Sequence, residues 1–344
     1  MKERLLKKDD VKALCAGASE HWETYVPAKG LGRDVHFTRL DGDNKESLLE
    51  RLNLDYESLV VPPKVLLFPQ LESLFEFQKD KIIETVKASG KILLFGLRAC
   101  DAKGILFVDD FFKRNYEDIY YLSRSKDKLL VILGCKRPLE NCFCTSTKTG
   151  PFLEQGFDLQ LVDIGDEYIV EIGSERGRDF VSSYEQFFVE ASKDDVKAAK
   201  AAKREAAEAV RLELDFEGAV KKFCEGNVAT EIYERISQRC IYCGGCLYVC
   251  PTCTCFNVFD TQNAGAGGRY RNWDACVFEG YTREASGHNP RREKWIRTSR
   301  RYEHKLKYDY LTTGMSGCVG CGRCLSSCPV DIGISQVIEE VSKS

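Results

Sequence analysis

The chain has no run of about 20 apolar residues, the length that a membrane-spanning helix needs. Residues 1–17 are charged and lack the apolar segment of a signal peptide. Lys and Arg (50) nearly balance Asp and Glu (53), and the resulting charge of −3 indicates neither a nucleic-acid partner nor a membrane partner. These absences favour a soluble cytoplasmic protein without membrane insertion.

Signatures of catalysis and of nucleotide binding are also absent. The sequence has no GxGxxG fingerprint placed between a strand and a helix, so we expect no flavin or nicotinamide to be bound by this chain. No Ser–His–Asp set or paired carboxylates can be nominated either. Catalytic residues are therefore not predicted.

Cysteine, in contrast, is abundant. Seventeen cysteines among 344 residues exceed the need of a metal-free cytosolic enzyme, and the chain is too long for a disulfide scaffold. Metal binding in a reducing compartment is the simplest explanation. Eight of these cysteines form two runs of identical spacing, CxxCxxCxxxCP: Cys240, Cys243, Cys246 and Cys250 with Pro251, and Cys318, Cys321, Cys324 and Cys328 with Pro329.

This spacing is typical of proteins that bind two [4Fe–4S] clusters, in which the fourth cysteine of each run binds the cluster of the other run. The predicted ligands of the first cluster are therefore Cys240, Cys243, Cys246 and Cys328. The predicted ligands of the second cluster are Cys318, Cys321, Cys324 and Cys250. Zinc is the competing interpretation because CxxC pairs also form tetrahedral thiolate sites, but zinc does not need the third cysteine or the CP.

A third [4Fe–4S] cluster is predicted near the middle of the chain. Cys100 and Cys135 each follow a predicted strand, and neighbouring parallel strands end at one edge of their sheet. The loop after Cys135 supplies Cys142 and Cys144, so four thiolates could converge there. Buried free thiols or an adventitious zinc site are the alternatives.

The remaining cysteines have less specific patterns. Cys253, Cys255 and Cys276 are expected to pack around the neighbouring cluster with S–H hydrogen bonds, or else to hold another metal together with Asp274. Cys15 and Cys224 are expected to be small core residues.

A basic stretch follows between the two cysteine runs: Arg291, Arg292, Lys294, Arg297, Arg300, Arg301, Lys305 and Lys307. It could bind nucleic acid or form a solvated helix face. The interpretation we favour is that these cations raise the reduction potential of anionic clusters and dock an acidic partner.

The predicted fold class is α+β, with an N-terminal α/β domain whose sheet is partly parallel, followed by an α-helical two-cluster ferredoxin-like domain. Short aliphatic runs predict strands, a 3.6-residue period predicts helices, and alternation around Gly165 predicts a hairpin. The predicted elements are strands 64–69, 91–96 and 128–134, helices 102–113, 184–192 and 193–211, and hairpin 157–174. The predicted domains are 1–192 and 214–344, joined by a connecting helix over 193–213.

Several stretches together resemble the iron–sulfur beta subunit of cytoplasmic sulfhydrogenases and the dicluster iron–sulfur subunit of anaerobic sulfite reductase. These stretches are residues 96–101, 134–144, 158–174, 240–255, 271–276, 287–297 and 318–332. The resemblance implies a cytoplasmic electron-transfer subunit of an anaerobic oxidoreductase, not catalytic by itself. Its implied partners are a flavin-containing, ferredoxin-reductase-like subunit together with a catalytic redox subunit of hydrogenase or sulfite reductase type. The alternative is a reductase in its own right that acts on a sulfur-containing substrate at a cluster.

Overall fold

The computed structural model describes residues 3–32, 34–79, 81–86, 90–263 and 265–344. The described residues divide into two compact units. Unit 1 lies within Met1–Pro63, Lys87–Leu139 and Thr149–Arg211, and unit 2 lies within Lys64–Val86, Glu140–Lys148 and Leu212–Ser344. Unit 2 thus includes two segments, 64–86 and 140–148, that precede the connecting helix in sequence.

The strands are β1 (Arg4–Lys7), β2 (Glu23–Lys29), β3 (Val35–Arg39), β4 (Leu71–Gln78), β5 (Lys81–Glu84), β6 (Ile92–Leu97), β7 (Lys128–Leu133), β8 (Leu159–Asp163), β9 (Glu167–Ile172), β10 (Val189–Glu190), β11 (Phe256–Asn263) and β12 (Ala266–Trp273). The helices are α1 (Val11–Ala18), α2 (Lys45–Glu50), α3 (Ala99–Lys113), α4 (Ile119–Ser125), α5 (Glu175–Ser183), α6 (Lys193–Glu208), α7 (Phe216–Glu225), α8 (Thr230–Arg239), α9 (Gly245–Tyr248), α10 (Lys294–Glu303), α11 (Asp309–Thr313), α12 (Arg323–Ser326) and α13 (Ile334–Lys343). In the part of the chain that is described, no helix has both the length and the apolarity to cross a bilayer.

Unit 1 is built on an eight-stranded sheet, counted over the described residues, with the order β10-β1-β9-β8-β7-β6-β2-β3. The pairs β2–β6, β6–β7 and β7–β8 are parallel, and the other pairs are antiparallel. Strand β6 is buried along its whole length, and β7 is buried except at Lys128. Aliphatic runs of this kind are expected in parallel strands that are covered on both faces. The prediction of a partly parallel sheet is confirmed.

The local signals in unit 1 were mostly sufficient. Helix α3 follows β6 and precedes β7, which confirms a βαβ unit, and β8 and β9 form the predicted antiparallel hairpin. Helix α6 begins with a capping box in which Ser192 and Asp195 exchange hydrogen bonds. The predicted helix over 184–192 is wrong, because a single 3₁₀ turn is followed by β10, which pairs with β1.

Unit 2 contains a sheet that the sequence did not indicate, with the order β11-β12-β4-β5 and antiparallel pairing throughout. The predicted strand over 64–69 is wrong. The Lys64 carbonyl accepts hydrogen bonds from the Leu67 and Phe68 amides, so the backbone turns there instead of extending. Both apolar side chains are still fully buried, because burial alone does not require a strand.

The helical part of unit 2 supports the cysteine loops. Helices α7, α8, α10 and α13 pack their apolar faces into one core, which includes Phe223, Tyr302 and Ile338. The first cysteine run starts where α8 ends, and the second starts after α11. The helices therefore fix both ends of the loops that hold the predicted ligands.

Candidate metal centre

The first cysteine run turns tightly because two of its residues adopt left-handed backbone conformations. Tyr242 has φ 57° and Gly244 has φ 74°, and α9 begins directly afterwards. The Tyr242 amide donates a hydrogen bond to the Cys240 sulfur at 3.4 Å. This curled backbone directs the first three sulfur atoms of the run toward one cavity.

That cavity lies within unit 2 and gathers four of the predicted ligands: Cys240, Cys243, Cys246 and Cys328. The first three come from the first run and the last comes from the second run. Arg301 and the fully buried Tyr302 also line the cavity. The grouping matches the predicted exchange of the last cysteine between the runs.

The second run repeats the turn with glycines at the two left-handed positions, Gly320 (φ 61°) and Gly322 (φ 69°). A second cavity in unit 2 is lined by the other four predicted ligands: Cys250, Cys318, Cys321 and Cys324. Phe143, Arg301 and Lys305 line it as well. The structure therefore brings together both predicted sets of four, and the ligation itself stays a prediction.

Segment 140–148 packs directly against the second run. The buried Phe143 donates its amide hydrogen to the Gly320 carbonyl at 2.8 Å, and the Cys142 thiol points to the Cys321 carbonyl at 3.6 Å. A Cβ atom on Gly320 would lie 2.7 Å from the Cys144 backbone. Glycine is required here both by the backbone conformation and by the close approach.

Burial discourages ionisation of the thiols that line the cavities. Desolvation raises the pKa of Cys246 to about 11 and that of Cys318 to about 12. A thiol binds metal only as the thiolate, so bound iron would have to displace these protons. The thiols would not remain charged in such surroundings without a counter-charge.

Three buried cations in unit 2 provide positive charge close to these sulfur atoms. Lys305 donates to the Thr252 hydroxyl at 2.8 Å and to the Gly317 carbonyl at 2.9 Å, and Lys64 donates to the Cys253 carbonyl. Arg301 donates to the Tyr302 hydroxyl. Within the described ranges, none of the three has a carboxylate within ion-pair distance.

The pKa values of these cations reflect the two opposing influences. Burial lowers the pKa of Lys305, but the sulfur atoms of Cys250 and Cys253 outweigh it and hold the value well above normal. Arg301 behaves in the same way beside Cys246. For Lys64 burial prevails over the neighbouring sulfurs and lowers the pKa to about 8.

The inward cations were only half visible in the sequence. Arg297, Arg301 and Lys305 are all less than 10% exposed, although the basic stretch has the composition of a solvated face. Their spacing of four residues places them on one side of a helix, and this was the signal that could have revealed them. Lys64 had no such signal, because it lies far away in sequence.

The four cysteines of the predicted third cluster belong to different parts of the fold. Strands β6 and β7 are parallel neighbours, so Cys100 and Cys135 follow the carboxyl ends of adjacent strands in unit 1, as predicted. Burial raises the pKa of Cys135 in spite of the nearby Arg98. Cys142 and Cys144 belong to unit 2. Convergence of all four stays a prediction.

Cys253, Cys255 and Cys276 lie together in unit 2 around the start of β11 and the end of β12. Cys253 shares a hydrogen bond with Cys250, and Cys255 shares one with Cys276. Among the described residues, no three His, Cys, Asp or Glu side chains are grouped so as to hold a single metal ion.

Comparison with known proteins gives two matches. Residues 239–332 match the 4Fe-4S dicluster domain family, which spans both cysteine runs. The chain is also 34% identical to sulfhydrogenase 2 subunit beta of Pyrococcus furiosus over 294 residues, which cover 85% of this chain and 86% of that protein.

The chain belongs to the family of sulfhydrogenase beta subunits. As a member of this family with a 4Fe-4S dicluster domain, it is an iron–sulfur subunit of oxidoreductase type. The similarity extends well beyond the dicluster domain, so the family also includes the sheet of unit 1.

Proposed function

We propose that this chain relays electrons between two partners: a flavin-containing, ferredoxin-reductase-like subunit on one side, and on the other a catalytic redox subunit of hydrogenase or sulfite reductase type. The observation that carries the proposal is the pair of cavities in unit 2. Each cavity gathers three cysteines of one run and the last cysteine of the other. This is the ligand arrangement of proteins with two [4Fe–4S] clusters.

The predicted ligands are Cys240, Cys243, Cys246 and Cys328 for the first cluster and Cys318, Cys321, Cys324 and Cys250 for the second. Each cluster, when bound, supplies one-electron redox chemistry. The chain's own residues have three tasks: the cysteines hold iron, Phe143 and Tyr302 exclude water, and the buried cations stabilise negative charge. Their positions in or beside the two cavities support these roles.

The unpaired cations support the presence of an anionic group. Burying a charge without a partner is costly, and it becomes tolerable when an opposite charge is nearby. Lys64, Arg301 and Lys305 have no carboxylate partner among the described residues, while cluster-bound thiolates would provide one. The same cations would favour the reduced, more negative state of the clusters.

The finer parts of the proposal extend beyond the two clusters. A third [4Fe–4S] cluster held by Cys100, Cys135, Cys142 and Cys144 would lengthen the relay. No flavin would be bound by this chain, because flavin chemistry would belong to the partner. The Pyrococcus furiosus protein is named as a beta subunit, and we propose comparable partner subunits and a cytoplasmic location for this chain.

The test is a steady-state assay of the anaerobically isolated chain with a reduced viologen dye and sulfite or polysulfide. The relay predicts that dyes exchange electrons with the protein but that no sustained turnover occurs until the partner subunits are added. A flavin-containing subunit should also co-purify under mild conditions. Sustained turnover by the chain alone would favour the alternative, a reductase acting on a sulfur-containing substrate.

A further inference from the structure

Cys255 and Cys276 are a pair of thiols outside both predicted ligand sets. Cys255 precedes β11 and Cys276 follows β12, just beyond the last strand pair, Phe256 with Trp273. The Asp274 amide donates to the Cys255 carbonyl at 2.9 Å, which holds the two chain segments together. The strand pairing therefore fixes the two thiols beside each other.

The two sulfur atoms have different surroundings. The Cys255 sulfur accepts hydrogen bonds from the Cys276 thiol, the Cys276 amide and the Tyr281 hydroxyl. Cys255 is partly exposed, whereas Cys276 is buried. Hydrogen bonds to Cys255 lower its pKa, while the bond that Cys276 donates raises the pKa of Cys276.

This asymmetry is what a dithiol needs in order to react with a disulfide. The attacking thiol must be accessible and stabilised as a thiolate, and the resolving thiol must wait close by with its proton. Lys305 adds positive charge near Cys255. Cys253 does not share these features, because its hydrogen bond goes to the predicted ligand Cys250.

We propose that Cys255 and Cys276 form a redox-active dithiol that reduces small disulfides by thiol–disulfide exchange. The Cys255 thiolate attacks one sulfur of RS–SR, forms a mixed disulfide and releases RS⁻. Cys276 then attacks the Cys255 sulfur, the Cys255–SR bond breaks, and the second RS⁻ leaves with the Cys276 proton. The dithiol loses two electrons, and the substrate disulfide becomes two thiols. This activity goes beyond the relay and does not depend on it.

The test uses the complete, anaerobically isolated protein and 5,5′-dithiobis(2-nitrobenzoate), whose coloured leaving group counts each attack. The wild-type protein should release two coloured thiolates per reacting pair, retain no adduct there, and yield a peptide in which Cys255 is linked to Cys276. Cys276→Ser should release half as many and keep the adduct on Cys255. Cys255→Ser should lose this phase completely.

The matched control is Cys224→Ser, because Cys224 is a partly exposed thiol packed against the helical core of the same unit. It should leave the phase unchanged. A wild-type protein without the linked peptide, or a phase that survives in Cys255→Ser, would overturn the proposal. A loss of about four irons per chain in Cys255→Ser or Cys276→Ser would also overturn it, because these thiols would then be cluster ligands. Cys276→Ala provides a second variant if the serine disturbs folding.

The same samples separate this inference from the relay. Iron content and visible absorption report the clusters, whereas the released thiolate reports the dithiol. A brown protein without the exchange phase refutes only the dithiol. A colourless protein with the exchange phase refutes only the relay.

Discussion

The two cysteine runs have the same spacing, but their cavities are built differently. The first cavity includes the exposed Cys243, and the second is lined by the buried Cys318, Phe143 and Lys305. The first turn uses Tyr242 where the second uses Gly320, because only the second run is pressed against segment 140–148. A duplicated motif thus fixes which thiols meet, while the surrounding residues determine the environment of each site.

The largest expected effect comes from Cys328→Ser. Although Cys328 belongs to the second run, its replacement should remove or alter the cluster of the first run, with a loss of up to about four irons per chain. Iron quantitation and EPR would measure this, with Cys250→Ser as the reciprocal variant. If Cys328→Ser altered only the signal of the second cluster, ligation would not be exchanged between the runs.

A second large effect is expected from Gly322→Ala. The residue has φ 69°, and a Cβ atom would collide with the Asn141 backbone, so strain and overpacking should together cost roughly 2–5 kcal/mol and disturb the second cluster. Gly314→Ala is the matched control, since Gly314 has φ 72° but open space around it, and it should cost about 1 kcal/mol. Chemical denaturation measures both. Equal costs would mean that the packing of segment 140–148 contributes nothing.

Lys305→Met should separate the two sites electrostatically. Removing this buried charge should lower the midpoint potential of the second cluster by roughly 60 mV, a tenfold change in a one-electron equilibrium, and affect the first cluster less. An EPR-monitored redox titration gives both values. Lys307→Met, a partly exposed neighbour, should change neither. Equal shifts at the two clusters would contradict the assignment of Lys305 to the second cavity.

The smallest expected effect is kinetic. Because Cys243 is exposed and Cys318 is only 8% exposed, a chelator should remove iron from the first cluster several-fold faster than from the second. The decay of the two EPR signals at fixed chelator concentration would show the order. Faster decay of the second signal would mean that burial does not control access.

Local chemistry made part of this architecture predictable. The CxxCxxCxxxCP spacing determines the two sets of four cysteines, and the aliphatic runs at β6 and β7 determine neighbouring parallel strands. Residues 64–69 illustrate the limit, because an equally apolar run turns where its carbonyl finds nearby amide donors. Lys64 shows a second limit: its approach to Cys253 depends on the chain path, and no local pattern encodes that path.

The most direct measurement is iron, zinc and inorganic sulfide per chain in the anaerobically isolated protein, combined with EPR of the reduced state. Two clusters predict about eight irons with equal sulfide and two interacting one-electron signals, and the proposed third cluster raises the iron to about twelve. A colourless protein that contains zinc, or no metal at all, would contradict the account.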